Sequence, residues 1–221
     1  MLHGIEINHR IAPFADGIKA LSGIPTSILG DVTGRLIGTV GLHPVNKSFV
    51  SACGNAVTVR VRAGDNLLIH RALRMLKPGD FLVVDGEGDI SRALFGEIMM
   101  NIAKVKGAIA CVFDAAIRDV NAFEENKFPC WARGINSRGP YKDGPGAINV
   151  PVSVGGLVVN PGDVVLGDPD GIVAFSPKVA LEVARLGKEK VVQETATIQA
   201  ILNGSYDDSW IDKVLEQKGY K

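Results

Sequence analysis

Glu97, Arg118 and Asp119 are the residues whose types and spacing can do chemistry: an acid, twenty intervening residues, then an adjacent Arg-Asp pair. An arginine fork grips a planar carboxylate through two parallel hydrogen bonds, and a neighbouring aspartate holds a hard divalent cation through one oxygen. A substrate with a carboxylate beside a carbonyl would chelate such a cation while the arginine held its carboxylate. An Arg-Asp pair after a strand is in most proteins a solvated surface pair, so the dipeptide alone decides nothing. Glu97 changes the weighing because it follows Gly96 at the start of a helical pattern. There Ile98 and Met99 offer backbone N–H groups that no earlier turn satisfies, at the positive end of the helix dipole. An anion at that point meets amide donors on one side and Arg118 on the other, with Glu97 placed to hold a water as proton relay. Glutamate is favourable in the first turn of any helix, so no one of these residues carries the site by itself.

The elements that must position them lie between Asp80 and Asp119. Two short apolar, β-branched runs, Phe81–Asp85 and Ala108–Asp114, flank a helical segment from about Gly96 to Lys106. Each run is closed by an acid and a turn, which suits buried strands of a parallel pair. A strand–helix–strand unit of this size is a βαβ crossover, and its loops open on one edge of the sheet. Glu97 and the Arg118-Asp119 pair therefore meet at the carboxyl edge of the strands, where open α/β sheets bind ligands.

Around this unit, residues 1–11 read as an edge strand or arm. Phe14 to about Asp31 is helical with a restart at Pro25, and Gly34 to Gly41 is a glycine-punctuated connection. Val57–Ala63 alternates apolar and basic residues, the mark of a half-exposed strand. Gly64-Asp65 caps a helix from Asn66 to Leu76. A short helix at Val120–Glu125 precedes a strand at Pro129–Arg133. Residues 134–149 form a long Gly/Pro loop with Arg138 and Lys142, a length usually functional or mobile. Val152–Val159, Asp163–Leu166 and Ile172–Phe175 read as short strands separated by Gly-Gly, Pro-Gly-Asp and Asp-Pro-Asp-Gly turns, hence an antiparallel β layer. Pro177 opens a helix to about Asn203, about 40 Å if continuous, Gly204 fits its C-cap, and a last helix spans Trp210–Lys218, the kind of tail that docks on a neighbouring subunit.

The chain has 221 residues, enough for one large domain, here taken as 1–221 with a helical extension from about 177. It is short for a complete eight-fold barrel, which needs about 250. With 24 basic and 24 acidic residues, no global field favours nucleic acid or membrane. Zero net charge and a positive mean hydropathy (+0.17) point weakly to apolar surface hidden in an oligomer. Cys53, Cys111 and Cys130 are scattered, which speaks against a zinc site and a disulfide framework. His3, His9, His43 and His70 lack ligand spacing and read as structural or surface residues. No leader or membrane span is apparent, so a soluble, reduced, cytoplasmic protein is expected.

Two chemistries are disfavoured. Asp85-Gly86-Glu87-Gly88-Asp89 has the look of a nucleotide loop, but Ser91 stands where the third glycine belongs, so the glycines read as turn formers. No lysine lies inside an apolar strand, which argues against Schiff-base chemistry. Arg133, Arg138 and Lys142 read as either a solvated set or an attraction for the far end of a dicarboxylate.

Taken together, GEIMMNIAKVKGAIACVFDAAIRD, with LVVDGEGD before it and RGINSRGPYKDGPGAINVPVSVGG and NPGDVVLGDPDGIVAFSP after it, resembles the superfamily of metal-dependent 4-hydroxy-4-methyl-2-oxoglutarate aldolases and regulators of ribonuclease activity A (RraA-like). The resemblance covers about residues 20 to 190. It implies an α/β fold of the β/β/α swivelling-type sandwich, with a central βαβ unit, an antiparallel β layer and C-terminal helices. It implies trimers or paired trimers, with the site at a subunit interface. By position it makes Asp119 the ligand of Mg²⁺ or Mn²⁺, Arg118 the clamp on the pyruvyl carboxylate and carbonyl oxygen, and Gly96 to Met99 the backbone cradle for the substrate. Many aldolases have Asp where this chain has Glu97, a departure that bears on fine specificity. The implied activity is pyruvate release from a small 2-oxo acid, by retro-aldol cleavage or by decarboxylation of oxaloacetate. The alternative is a non-catalytic regulator that binds ribonuclease E. Members labelled demethylmenaquinone methyltransferase find no support here, because the cofactor loop is absent.

Overall fold

In a computed structural model that describes residues 4–48 and 50–220, the chain forms eleven strands and seven helices. In chain order these are β1 (Ile5–Ile7), α1 (Ala15–Leu21), α2 (Thr26–Val32), β2 (His43–Pro44), β3 (Ala52–Val61), α3 (Leu67–Leu73), β4 (Asp80–Asp85), α4 (Glu97–Val105), β5 (Ala110–Ile117), α5 (Val120–Glu125), β6 (Cys130–Ile135), β7 (Gly146–Ile148), β8 (Val152–Val154), β9 (Leu157–Val159), β10 (Val164–Asp168), β11 (Gly171–Phe175), α6 (Ala180–Leu202) and α7 (Trp210–Gln217). The expected terminal arm begins within residues 1–3, which, like His3, lie outside the described residues. Its described part is the edge strand β1.

One large sheet runs β1-β7-β3-β4-β5-β6-β2, and β10 adds the β10–β11 hairpin to β3. The inner strands β3 to β6 are parallel, with Val83 opposite Val112 across β4 and β5. The β4–α4–β5 crossover expected from Asp80–Asp119 is therefore present. Leu82, Val84, Phe113 and Ile117 point to one face of the sheet and pack with α3, α4 and α5. Phe81, Val83, Val112 and Trp131 point to the other, against the separate β8–β9 hairpin. A third apolar cluster joins α1, α2 and the first turns of α6 to β10 and β11.

Some expectations need correction. Val57–Ala63 alternates in sequence, yet Val57, Thr58, Val59 and Val61 are all fully buried. The strand is central and covered on both faces from Gly54 to Val61, where Arg60 alone is exposed, while Arg62 and Ala63 are exposed beyond its end. The Gly-Gly turn expected within Val152–Val159, by contrast, is present at Gly155-Gly156, between the antiparallel strands β8 and β9. The end of the 134–149 loop is β7, which pairs with both β1 and β3. The long C-terminal helix starts at Ala180 rather than at Pro177, and its 23 residues span about 35 Å. Its buried residues all lie between Ala180 and Gly187, and α7 has none.

Candidate active site

The chain places Gly96 beside Arg118 by a short piece of sheet-like pairing. Ala93 bridges Ala116, the Leu94 N–H donates to the Ala116 carbonyl (2.9 Å), and the Arg118 N–H donates to the Phe95 carbonyl (2.9 Å). The segment before α4 thus runs alongside the end of β5, so Glu97 and the Arg-Asp pair meet although twenty residues separate them. The Glu97 N–H donates to Asp119 Oδ2 at 3.1 Å, and Arg118 Nε lies 3.6 Å from the same oxygen. Asp119 therefore stands at the amino end of α4, where the dipole favours negative charge. It also has φ of +58°, a left-handed conformation uncommon outside glycine and tolerated by Asp. A non-glycine residue held there matches the backbone strain that gathers at functional sites.

Gly96 is extended (φ −160°), a conformation open to any residue, so contact rather than backbone geometry demands glycine. A Cβ at Gly96 would collide with Asp119 Oδ2 and lie 3.0 Å from Arg118 Cγ. The N–H groups of Ile98 and Met99 find no acceptor among the described residues, as their place in the first turn requires. Glu97 is exposed, Ile98 is 76% exposed, and the Arg118 and Asp119 side chains are each a little under half exposed. All of the residues picked out from the sequence (Gly96, Glu97, Ile98, Met99, Arg118 and Asp119) thus stand within one short stretch of surface. A cleft of about 50 Å³ opens there, lined by Gly96, Ile98, Met99, Arg118 and Asp119.

Two neighbours were not visible in sequence. Asn66 lines the same cleft although only 3% exposed, donating its amide to the Leu94 carbonyl (2.9 Å) while its Oδ1 has no partner. A buried carbonyl oxygen without a donor costs about 1–3 kcal/mol, and Asn66 Oδ1 is such an acceptor, without a protein partner among the described residues. Pro140, from the crossing loop, forms the other wall. In sequence Asn66 carried only a helix-start signal, and nothing about Pro140 marked it.

Arg133, on β6, separates from the two loop cations. Arg133 pairs with Asp114, whose other oxygen accepts the Gly155 N–H. That ion pair draws Arg133 toward the β8–β9 turn, so it is not one of the residues lining the cleft. Arg138 and Lys142 stay exposed on the loop that borders the cleft. Burial, then the Lys142 charge, pushes the His70 pKa down, which keeps that imidazole neutral near pH 7. Cys53 is pushed up to about 11 by burial, against a smaller opposing effect of Ser22. A thiol so shifted stays protonated and is a poor nucleophile at neutral pH.

Among the described residues no three His, Cys, Asp or Glu side chains converge, so this subunit alone builds no cage of protein ligands. A single carboxylate beside a cradle that a Cβ would fill suits instead a hard cation such as Mg²⁺. That ion keeps most of its waters and takes one or two carboxylates plus substrate oxygens. No helix among the described residues is long and apolar enough to cross a membrane.

The comparisons with known proteins show the family of the chain. The family model described as RraA-like, Aldolase/RraA, matches residues 20–174. A relative from Halalkalibacterium halodurans, named "Putative 4-hydroxy-4-methyl-2-oxoglutarate aldolase", is 36% identical over 84% of this chain and 89% of its own. The solved RNA-processing inhibitor RraA from Thermus thermophilis is 27% identical, with a TM-score of 0.63, over 69% of this chain and 92% of its own. Streptomyces coelicolor RraAS2, described as an unusual member of the RNase ES inhibitor RraA family, has a TM-score of 0.76 at 24% identity. It covers 84% of this chain and 96% of its own, and at that identity it speaks for the fold alone.

Proposed function

This chain belongs to the RraA-like (Aldolase/RraA) family, and from that premise we propose that it is a divalent-metal-dependent lyase that releases pyruvate. Its substrates are then 4-hydroxy-2-oxo acids, with or without a 4-methyl group, cleaved by retro-aldol reaction, and oxaloacetate, which it decarboxylates. The observation that carries the reading is Asp119 Oδ2 held 3.1 Å from the first N–H of α4 with Arg118 beside it. Asp119 would hold Mg²⁺ or Mn²⁺, which when bound polarises the 2-oxo acid as a Lewis acid.

The chain's own groups then divide the work. The free N–H groups of Ile98 and Met99 hold the carboxylate of the substrate at the helix start. The Arg118 guanidinium spans carboxylate and carbonyl oxygen, and its charge favours the enolate that forms as the C3–C4 bond breaks. In the retro-aldol reaction the 4-hydroxyl proton passes to the water held by Glu97 as the C3–C4 bond breaks, and oxaloacetate reaches the same enolate by losing carbon dioxide. Glu97, exposed beside the cradle, holds the water that delivers the proton to carbon and so yields pyruvate. A homo-oligomer, trimer or hexamer, belongs to the reading. Ile198, Ile201, Leu202 and Trp210, each more than half exposed on α6 and α7, are apolar surface that a neighbouring copy would cover.

Pyruvate release from oxaloacetate and from 4-hydroxy-4-methyl-2-oxoglutarate, with Mg²⁺, with Mn²⁺ and after EDTA, tests the proposal. Metal-dependent release supports it, and the ratio of the two rates ranks aldolase against decarboxylase. No release from either substrate would remove it. That result would favour the second reading, a non-catalytic regulator that binds ribonuclease E, which draws on the two solved relatives named for ribonuclease or RNA-processing inhibition.

A further inference from the structure

Residues 136–143 cross the carboxyl end of the sheet as a strap beside Arg118. Both ends of the strap are tied down independently. At one end the Asn136 amide donates to the Ile90 carbonyl (2.8 Å), and its N–H donates to the Ile117 carbonyl (3.0 Å). At the other, the N–H groups of Asp143 and Gly144 donate to one oxygen of the fully buried Asp65 (2.6 and 3.0 Å). Between them, Tyr141 exchanges backbone hydrogen bonds with Gly64 and Asn66.

The crown of the strap, Gly139-Pro140, is held differently. Proline has no N–H to donate, and among the described residues these two make one hydrogen bond only. It is donated to the Gly139 carbonyl by Arg92 Nη1 at 2.8 Å. Arg92 Nη2 donates to Tyr141 Oη at 2.7 Å, and the Arg92 guanidinium carbon sits 4.1 Å from the Tyr141 ring centroid. Both interactions fall on the strap. Arg92 forms no ion pair among the described residues. Its stem lies along Gly64, where a Cβ would come within 3.1 Å of Arg92 Cδ. The residue after it, Ala93, donates to the Arg138 carbonyl at 2.8 Å and lines the cleft with Pro140.

This crown faces the candidate arginine. A Cβ at Gly139 would lie 3.5 Å from Arg118 Nη1, an ordinary contact, so the strap closes the space on one side of the Arg118 guanidinium. On this geometry we propose that Arg92 is a positioning residue for Arg118, acting through the strap. Its fork clamps Gly139 and Tyr141, the clamped crown confines the Arg118 guanidinium, and Pro140 is thereby set as the wall of the cleft. The inference rests on the lyase reading. An arginine suits the task because a rigid fork serves two acceptors at once, whereas the single ammonium of lysine does not fix their relative position.

The test compares wild type with Arg92→Met, Arg92→Lys and Tyr141→Phe by pyruvate-release kinetics, thermal unfolding and limited trypsin digestion. Arg92→Met keeps the packing on Gly64 and loses the fork. It should lower kcat/KM about tenfold to a hundredfold, mainly through KM, the size expected when a catalytic group is misplaced by about 1 Å. The unfolding temperature should stay within a few degrees, because both strap ends keep their own ties, while trypsin should cut after Arg138 faster than in wild type. Arg92→Lys should recover part of the loss, and Tyr141→Phe, which keeps the ring, should show a smaller one. Unchanged KM with unchanged trypsin cleavage in Arg92→Met would overturn the proposal. So would an activity loss that tracks a drop in unfolding temperature, which would make Arg92 a folding residue. Wild type that releases pyruvate from no 2-oxo acid would bring down the lyase reading first and this role with it.

Discussion

Replacing Gly96 by Ala is the sharpest probe of the candidate site, because nothing in the backbone opposes it. With φ at −160°, alanine adopts the conformation of Gly96 without strain. Its one new carbon would press on Asp119 Oδ2 and stand 3.0 Å from Arg118 Cγ and 3.3 Å from Arg118 Nε. Comfortable heavy-atom contacts begin at about 3.5 Å, so the Asp119 carboxylate must retreat by about 1 Å. The Asp119 side chain is 44% exposed and can swing into solvent. The folding cost is then chiefly the lost hydrogen bond from the Glu97 N–H, about 1 kcal/mol. For a chain of this size that lowers the unfolding temperature by about 2–4 °C. The functional cost is larger, since displacing a positioned group by about 1 Å costs about a hundredfold, or about 2.7 kcal/mol of transition-state stabilisation. The assay is pyruvate formation under saturating Mg²⁺, run beside thermal unfolding of the same preparation. A folded Gly96→Ala variant with wild-type kcat/KM would refute the reasoning, because the carboxylate would have moved without consequence.

Other outcomes follow from the same geometry. Asp119→Ala should abolish turnover with the oligomer intact, and equal loss of folding would make the residue structural. Arg118→Lys should lose about a hundredfold in kcat/KM, since an ammonium does not reproduce the planar fork, and near-normal kinetics would remove Arg118 from the site. The strap should loosen in acid. Burial raises the Asp65 pKa, but the N–H groups of Asp143, Leu67 and Gly144, together with Arg62, outweigh it and hold the pKa below the usual carboxylate value. A carboxyl depressed on folding stabilises above its unfolded pKa of about 4, and that contribution fades as pH falls through the folded value. Amide-exchange protection at Asp143 and Gly144, corrected for the intrinsic pH dependence of exchange, should therefore fall below about pH 4, and Asp65→Asn should show a weaker pH dependence. If protection in Asp65→Asn keeps the wild-type pH dependence, Asp65 is not the responsible group.

The part of this molecule written in local signals was legible in the sequence. The β4–α4–β5 crossover and the helix start at Gly96-Glu97 appear as short apolar runs and a cap, and their adjacency to Arg118-Asp119 follows from strand direction alone. β3 was misjudged because alternation records which side chains are apolar, not how many layers cover them. Thr58 is as buried as Val57, its hydroxyl satisfied by the Val150 carbonyl at 2.6 Å. β7 was missed because three residues after a Gly/Pro loop carry no periodicity, and their pairing partners lie in β1 and β3, far away in sequence. Arg133 looked like its loop neighbours until Asp114 claimed it. Asn66 and Arg92 needed coordinates, because an unpaired buried oxygen and a fork on a crossing loop are relations between distant segments.

The amino end of α4 contributes its donors through main chain, and this separates what the pocket grips from what it admits. The amides of Ile98 and Met99 exist whatever side chains those positions bear, while the Ile98 side chain points outward at 76% exposure and Glu97 is exposed beside it. Exchange at Ile98 retunes the rim without dismantling the grip. On the lyase reading, a lineage of such proteins can therefore drift from one 2-oxo acid to another by substitution at 98, each intermediate still competent to hold a carboxylate. Gly96 is denied that freedom, because any side chain there reaches Asp119.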